Sequence, residues 1–423
     1  MSAVAHSRDS IRIEILGGIT TFVSMAYIII VNPAILAAAG LPTGPSTVAT
    51  IVVAVAGTLL MGLYARRPIA VAPYMGENAF IAFGLAALGI TWQQRLGAVF
   101  VSGLIFLIIT LAGIRSWLAE AISPSMKHSF AVGIGLFLAF IGLNEIGVVA
   151  SSSVPGVPVK IGNLRSPEVL LGLAGFVIIM ALLQRRVRGA IIIGIALTAV
   201  AGILLGYGHA PSAIVAMPPS LAPIAFKLDI AGVLRLSFLP ILLTLFVMSF
   251  LDTLGTLVGV GAAADIDDLR KPMLVDAISC CLSGLVGTST SGAYIESATG
   301  IREGARTGLA AITTAVLFAL ALFFTPLIEP LQQLRFAYAP ALIAVGVLML
   351  GGVRSIDFDD LTELVPSFVT IIVMVFTYNI GNGLTAGLVL YPVMKLLAGK
   401  KVSAGAIALA LICLAYYVFG LPH

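Results

Sequence analysis

Three acids sit inside long apolar stretches of this chain, each beside a group that can share a hydrogen bond. Glu77 adjoins Asn78, Asp252 adjoins Thr253, and Glu296 adjoins Ser297 just beyond Thr288-Ser289-Thr290-Ser291. A charge at membrane depth costs about 2.5–3.5 kcal/mol on insertion scales, and lipid offers it no partner. Acids in such places handle a polar solute or a proton. Asn78 donates and accepts at once, as recognition of a heterocyclic edge requires. Asp252 has a plainer alternative as a helix-packing residue bonded to neighbouring hydroxyls, and Glu296 as a cap on its own backbone. Glu77 either faces the same cavity or reaches the cytoplasmic side as an ion-pair partner of Arg66 and Arg67.

Two polar cassettes carry most of these residues, Ala72-Pro73-Tyr74-Met75-Gly76-Glu77-Asn78-Ala79-Phe80 and Ser291-Gly292-Ala293-Tyr294-Ile295-Glu296-Ser297-Ala298-Thr299-Gly300. The segments holding them, 72–87 and 292–301, are too short and glycine-broken for ordinary spans and read as discontinuous helices. Half-helix ends leave backbone N–H groups free for an electronegative atom. Around them the expected spans fall at 15–38, 47–64, 96–113, 128–146, 168–184 and 189–206. The second set falls at 237–262, 272–287, 308–328, 338–353, 365–380 and 383–398, with a further apolar run at 403–420. Arg95-Leu96-Gly97 matches Arg306-Thr307-Gly308 at an offset of 211, and the cassettes pair at 219. The spacing predicts an all-α polytopic membrane protein of about fourteen segments. It is divided into a first repeat (1–207), a loop (208–236), a second repeat (237–398) and a C-terminal apolar segment (399–423). Seven spans per repeat is odd, so one copy is inverted in the membrane.

Composition points the same way. Of 423 residues, 60% are hydrophobic and 10% charged, against about 25% charged in soluble domains. The mean hydropathy is +1.12. With the N-terminus inside, 17 of the 23 Lys and Arg fall in cytoplasmic loops and 6 outside, as the positive-inside rule asks. The net charge of +4 is spread over short loops and is no nucleic-acid surface. Cys280, Cys281 and Cys413 lie in apolar runs and read as packing residues. The acids Asp265, Asp267 and Asp268 with Arg270 and Lys271 read as a solvated turn rather than a metal site. No Walker loop, zinc spacing or nucleophile elbow is present, so no cofactor, metal or catalytic residue is expected.

Longer motifs narrow the reading. The run from Gly17-Gly18-Ile19-Thr20-Thr21 to Val31-Asn32-Pro33 resembles the opening of the AzgA-like purine permeases, a branch of the nucleobase–cation symporter 2 (xanthine/uracil permease) family. Met61-Gly62-Leu63-Tyr64-Ala65, Asp252-Thr253-Leu254-Gly255-Thr256, Tyr294-Ile295-Glu296-Ser297-Ala298 and Gly304-Ala305-Arg306-Thr307-Gly308 fit the same pattern. The resemblance implies two inverted seven-span repeats split into core and gate. The solute would lie between the third and tenth segments, with Asp252 and Glu296 as substrate and proton-coupling carboxylates and Asn78 as a partner. Tyr74, Glu77, Thr290 and Ser297 complete the expected site. One departure stands out. Where those permeases read Gly-Met-Gly-Leu-Asn-Ala, this chain has Tyr74-Met75-Gly76-Glu77-Asn78-Ala79, an aromatic to stack on a planar base and an added acid. The implied function is proton-coupled import of hypoxanthine, guanine or adenine across the cell membrane by a rocking or elevator movement. Its partners are the purine base, protons and the lipid bilayer, with a homodimer left open. Xanthine, uracil or a small anion on the same fold is the alternative, and an intramembrane enzyme is a third class lacking a catalytic constellation.

Overall fold

A computed structural model describes residues 8–85, 88–113, 121–264, 266 and 268–419. Asp265 and Asp267 of the acidic turn lie outside the described residues. Helices dominate because an apolar surround leaves backbone groups no partner but one another. The first segment is broken at Tyr27 into α1 (Arg8–Met25) and α2 (Ile28–Ala37). Helix α3 (Thr43–Leu60) ends in a π turn, and β1 (Val71–Pro73) leads into the short α4 (Met75–Ala79). Then come α5 (Trp92–Leu111), α6 (Pro124–Ile146), the hairpin β2 (Val149–Ser151) with β3 (Val159–Ile161), α7 (Pro167–Gln184) and α8 (Ala190–Leu204).

The second half repeats this order. Helix α9 (Leu239–Ala263) and α10 (Arg270–Val286) precede β4 (Ser291–Ala293) and the short α11 (Ser297–Arg302). After them come α12 (Gly308–Ala321), α13 (Thr325–Gln333), α14 (Arg335–Met349), α15 (Leu361–Phe376), α16 (Ile380–Leu397) and α17 (Ala404–Phe419). Among the described residues nine helical stretches are long and apolar enough to cross a membrane, and three shorter apolar helices accompany them. This is a multi-pass membrane protein. Packing divides it into two bodies: α1 to α5 with α9 to α13, and α6 to α8 with α14 to α16. Each half of the chain supplies both bodies in the same order, as a core and a gate built from repeats require.

Both expected discontinuous segments are a strand followed by a short helix. The strands pair with each other, antiparallel, with Val71 opposite Ala293, Ala72 opposite Gly292 and Pro73 opposite Ser291. Two three-residue strands with no other partner make this the one place where the halves exchange backbone bonds in a ladder, among the described residues. Antiparallel pairing of equivalent strands is what inversion of one repeat produces. It also corrects the sequence alignment. Tyr74 and Tyr294 each follow their strand directly, so the cassettes match at 294 − 74 = 220 rather than at 219. Glu77 is therefore the counterpart of Ser297, not of Glu296. One residue on a helix turns a side chain through about 100°, and the two acids face different surroundings.

The arginine match does hold a structural role. Arg95 Nη1 donates to the carbonyls of Ile81 (2.7 Å) and Ala82 (3.1 Å) at the far end of the first half-helix. Arg306 Nη1 donates to Ile301 (2.6 Å) and Ala305 (2.8 Å) at the end of the second. Each interrupted helix exposes carbonyls that no next turn will satisfy, and a cation there also answers the helix dipole. Glu14 Oε1 accepts from the N–H groups of Arg306 (2.8 Å) and Thr307 (3.0 Å), fastening the same break.

Where the strands cross, Gly292 has no room for a side chain: a Cβ would lie 2.0 Å from the Tyr74 hydroxyl. Gly292→Ala is expected to push the strands apart, at the roughly 1–3 kcal/mol that overpacking costs. The check is a lowered unfolding temperature of the purified protein in detergent together with loss of transport.

Candidate functional site

At the strand crossing each paired strand leads directly into a short helix, α4 or α11. Tyr74 N–H donates to the Thr290 carbonyl and Tyr294 N–H to the Ala70 carbonyl, both at 2.9 Å. The two tyrosine rings lie parallel, 8° apart with centroids 6.5 Å distant. Tyr294 donates its hydroxyl to the Pro73 carbonyl, while the Tyr74 hydroxyl pairs with Thr253 Oγ1 (3.0 Å) and reaches Asp276 Oδ2 (3.5 Å). Asp276 Oδ2 also accepts from Ala293 N–H at 3.0 Å. Ser297 Oγ accepts from Ala70 N–H at 3.0 Å. Tyr74 and Ser297 thus hold the crossing together, and Tyr74 already stacks on protein rather than standing open to a planar ligand. The Thr290 hydroxyl is buried without a hydrogen-bond partner.

Three acids line the region differently. Glu296 is half-buried and accepts a 2.7 Å hydrogen bond from the Tyr27 hydroxyl, at the break between α1 and α2. Asp252 is half-buried on α9. Glu77 is fully buried, with neither carboxylate oxygen satisfied by a donor. Among the described residues no salt bridge joins it to Arg66 or Arg67, so that alternative does not form. Asn78 is fully buried as well. Its Nδ2 donates to Asn32 Oδ1 at 2.9 Å, and its own Oδ1 has no partner. Asn32 in turn donates to Thr50 (2.7 Å) and Thr288 (2.9 Å) and accepts from Ser289 (3.1 Å). A network of this kind fixes the orientation of Asn78 and leaves one acceptor uncommitted.

Sequence reading expected Asn78, Asp252, Glu296, Glu77, Tyr74, Thr290 and Ser297 in one site; the structure puts Tyr74, Thr290 and Ser297 at the crossing, Asn78 on Asn32, Glu296 on Tyr27 and Asp252 on α9. It missed Tyr27, Asn32 and Asp276. Asp276 carried a visible signal, an acid inside the apolar run 272–287. Tyr27 and Asn32 carried none beyond their position in a shared motif, because uncharged polar residues are common in spans. Among the described residues no group of His, Cys, Asp and Glu is placed to hold a metal ion. A separate cavity of about 570 Å³ lies between the ends of α6 and α14, lined by Glu145, Tyr207 and Arg335 among others, and shares no residue with the crossing. Glu145 there is already engaged by Arg335 (3.4 Å) and Tyr338 (3.2 Å).

Residues 12–385 match the family model described as the Permease family, of xanthine/uracil type. The adenine permease AdeP of Escherichia coli (strain K12) is 38% identical over 418 residues, covering 96% of this chain and 93% of that protein. The guanine/hypoxanthine permease PbuG of Bacillus subtilis (strain 168) is 39% identical over 430 residues, covering 97% of each. Among solved structures, the transmembrane domain of a cyanobacterial bicarbonate transporter, BicA, superposes with a TM-score of 0.65 at 17% identity, over 89% of this chain and 97% of that one. At that identity the likeness concerns the fold.

Proposed function

The chain belongs to the xanthine/uracil-type Permease family, a family of transporters and not of enzymes, and from that premise we propose that it imports purine nucleobases by proton symport. The substrates are adenine, guanine or hypoxanthine, in keeping with the relatives named for them. The observation that supports the reading is the strand crossing from which both half-helices start, with the Asn78 amide oxygen buried and uncommitted in the first and the Glu296 carboxylate at the head of the second. Purine edges alternate N–H donors with ring-nitrogen and carbonyl acceptors. Glu296 accepts from an N–H, and Asn78 accepts through Oδ1 from another. Asp252, half-buried on α9, carries the coupled proton together with Glu296.

Alternating access follows from the two-body packing, the core moving against the gate by rocking or as an elevator. The protein sits in the cell membrane with its N-terminus cytoplasmic, as the 17-to-6 distribution of basic residues favours. A small anion is the rival suggested by the bicarbonate transporter's fold. The crossing offers carboxylates and no cation among its described residues, which disfavours that cargo. The test is uptake of radiolabelled purines by a host lacking its own purine permeases, with unlabelled bases as competitors and a protonophore added. Uptake competed by purines and collapsed by the protonophore is expected. Accumulation indifferent to both would overturn the reading.

A further inference from the structure

An asparagine amide can offer a donor or an acceptor, so what Asn78 presents depends on what holds it. Its Nδ2 is committed twice, to Asn32 Oδ1 at 2.9 Å and to Met75 Sδ at 3.9 Å. Asn32 is itself turned by its neighbours. Thr50 spends its one hydroxyl proton on the Ser46 carbonyl (2.8 Å), so toward Asn32 it offers only lone pairs. Asn32 Nδ2 donates to those lone pairs at 2.7 Å and to Thr288 Oγ1 at 2.9 Å. Asn32 Oδ1 is thereby left for Asn78 and for the Ser289 hydroxyl, which donates at 3.1 Å. Both amide protons of Asn32 and both lone pairs of its oxygen are then used. Asn32 lies on α2 and Thr50 on α3, while Thr288 and Ser289 lead into β4, so both halves of the chain hold this amide. All of these side chains are fully buried. Donation runs one way, from Asn78 to Asn32 to Thr50 to Ser46. At its head the Asn78 Oδ1 is buried and has no partner.

Turning the Asn78 amide over would set its oxygen against Asn32 Oδ1, acceptor to acceptor, and strand a buried polar group on each side. The bonds behind it forbid that turn without touching a solute. We propose that Asn32 and Thr50 are positioning residues that hold Asn78 as a fixed acceptor, so that this permease takes only bases that bring an N–H donor to that oxygen. The inference rests on the purine-transport reading and deepens it: that reading names the class of solute, and the relay adds the polarity of the edge being read. A base methylated at the nitrogen that meets Asn78 is refused, because neither partner can supply the missing proton. A buried acceptor left open in this way weakens binding by roughly 5- to 150-fold.

Two measurements on the full-length protein test this. The first is competition against labelled purine uptake into proteoliposomes, comparing hypoxanthine with its derivatives methylated at single ring nitrogens. In the wild type one methylation is expected to weaken competition by roughly 5- to 150-fold. Asn32→Leu, which frees the Asn78 amide to turn, is expected to bring that ratio toward unity. Asn32→Asp, whose carboxylate still accepts from Asn78, is expected to keep it. Thr50→Val and Thr50→Ser carry the same comparison with less disturbance of packing, the first lowering the ratio and the second preserving it. Loss of rate for every base alike, with the ratio unchanged in both Asn32→Leu and Thr50→Val, is what a merely structural role produces and would overturn the proposal. So would a wild type indifferent to every methylation. The second measurement needs no solute: infrared spectra of protein with isotope-labelled asparagine side-chain carbonyls. An unbonded carbonyl component is expected in the wild type and absent in Asn78→Leu, with native circular dichroism in both. No such component, or one that survives Asn78→Leu, overturns the fixed acceptor whatever the protein transports. The component present in a protein that moves no purine would sink the transport reading and leave the relay standing.

Discussion

Glu296→Gln is expected to abolish purine accumulation. The substitution keeps the size of the side chain and a carbonyl oxygen that can still accept from Tyr27, so the fold around the break at Tyr27 survives. What it removes is the charge and one acceptor. Hydrogen bonds to a charged group contribute about 1.5–3 kcal/mol, and an amide N–H turned toward a purine N–H adds repulsion. Together these correspond to a loss on the order of 10- to 100-fold or more in apparent affinity. Tyr27→Phe makes a graded comparison. It deletes the 2.7 Å bond that orients the carboxylate and leaves the charge, so a loss of only several-fold is expected, near the net value of about 1 kcal/mol for one hydrogen bond. Competition curves with unlabelled bases in cells matched for surface expression would read both. If Glu296→Gln transported at the wild-type rate with unchanged affinity, this carboxylate would have no part in binding.

The second large effect belongs to Asp252. Moving one charge through 100 mV is worth about 2.3 kcal/mol, equal to about 50-fold accumulation. Asp252→Asn removes the half-buried member of the acid set on α9 and closes the route by which a proton loads. The variant is expected to let labelled base equilibrate and exchange, without concentrating it and without response to a protonophore. Counterflow in preloaded vesicles separates this uncoupled carrier from a dead one. Protonophore-sensitive accumulation at the wild-type level in Asp252→Asn would show that the coupled proton travels elsewhere, with Glu296 the next group to test.

Legibility in the sequence followed the strength of the physical penalty. Acids in apolar runs are costly enough to be visible singly, and Asp252, Glu77 and Glu296 were found on that ground. The glycine-rich, shortened cassettes announced interrupted helices for the same reason, since a broken backbone in lipid needs a cavity or a partner. The arginine match at positions 95 and 306 marked the repeat without revealing its purpose, because capping is a relation between a side chain and carbonyls more than ten residues away in one case and five in the other. Neutral polar residues such as Asn32 were silent, carrying no penalty large enough to notice.

By itself, then, the sequence determined that the chain lies in a membrane, that its halves resemble each other, that two broken helices carry polar residues, and which acids stand inside apolar runs. Those conclusions need only local composition and the cost of burying charge. The tertiary structure decided how the halves meet. Antiparallel pairing of Val71–Pro73 with Ser291–Ala293 shifted the match by one residue, and a one-residue shift on a helix changes which way a side chain points. That rotation gave Glu296 to Tyr27, a bond between residues 269 positions apart that no spacing along the chain could announce.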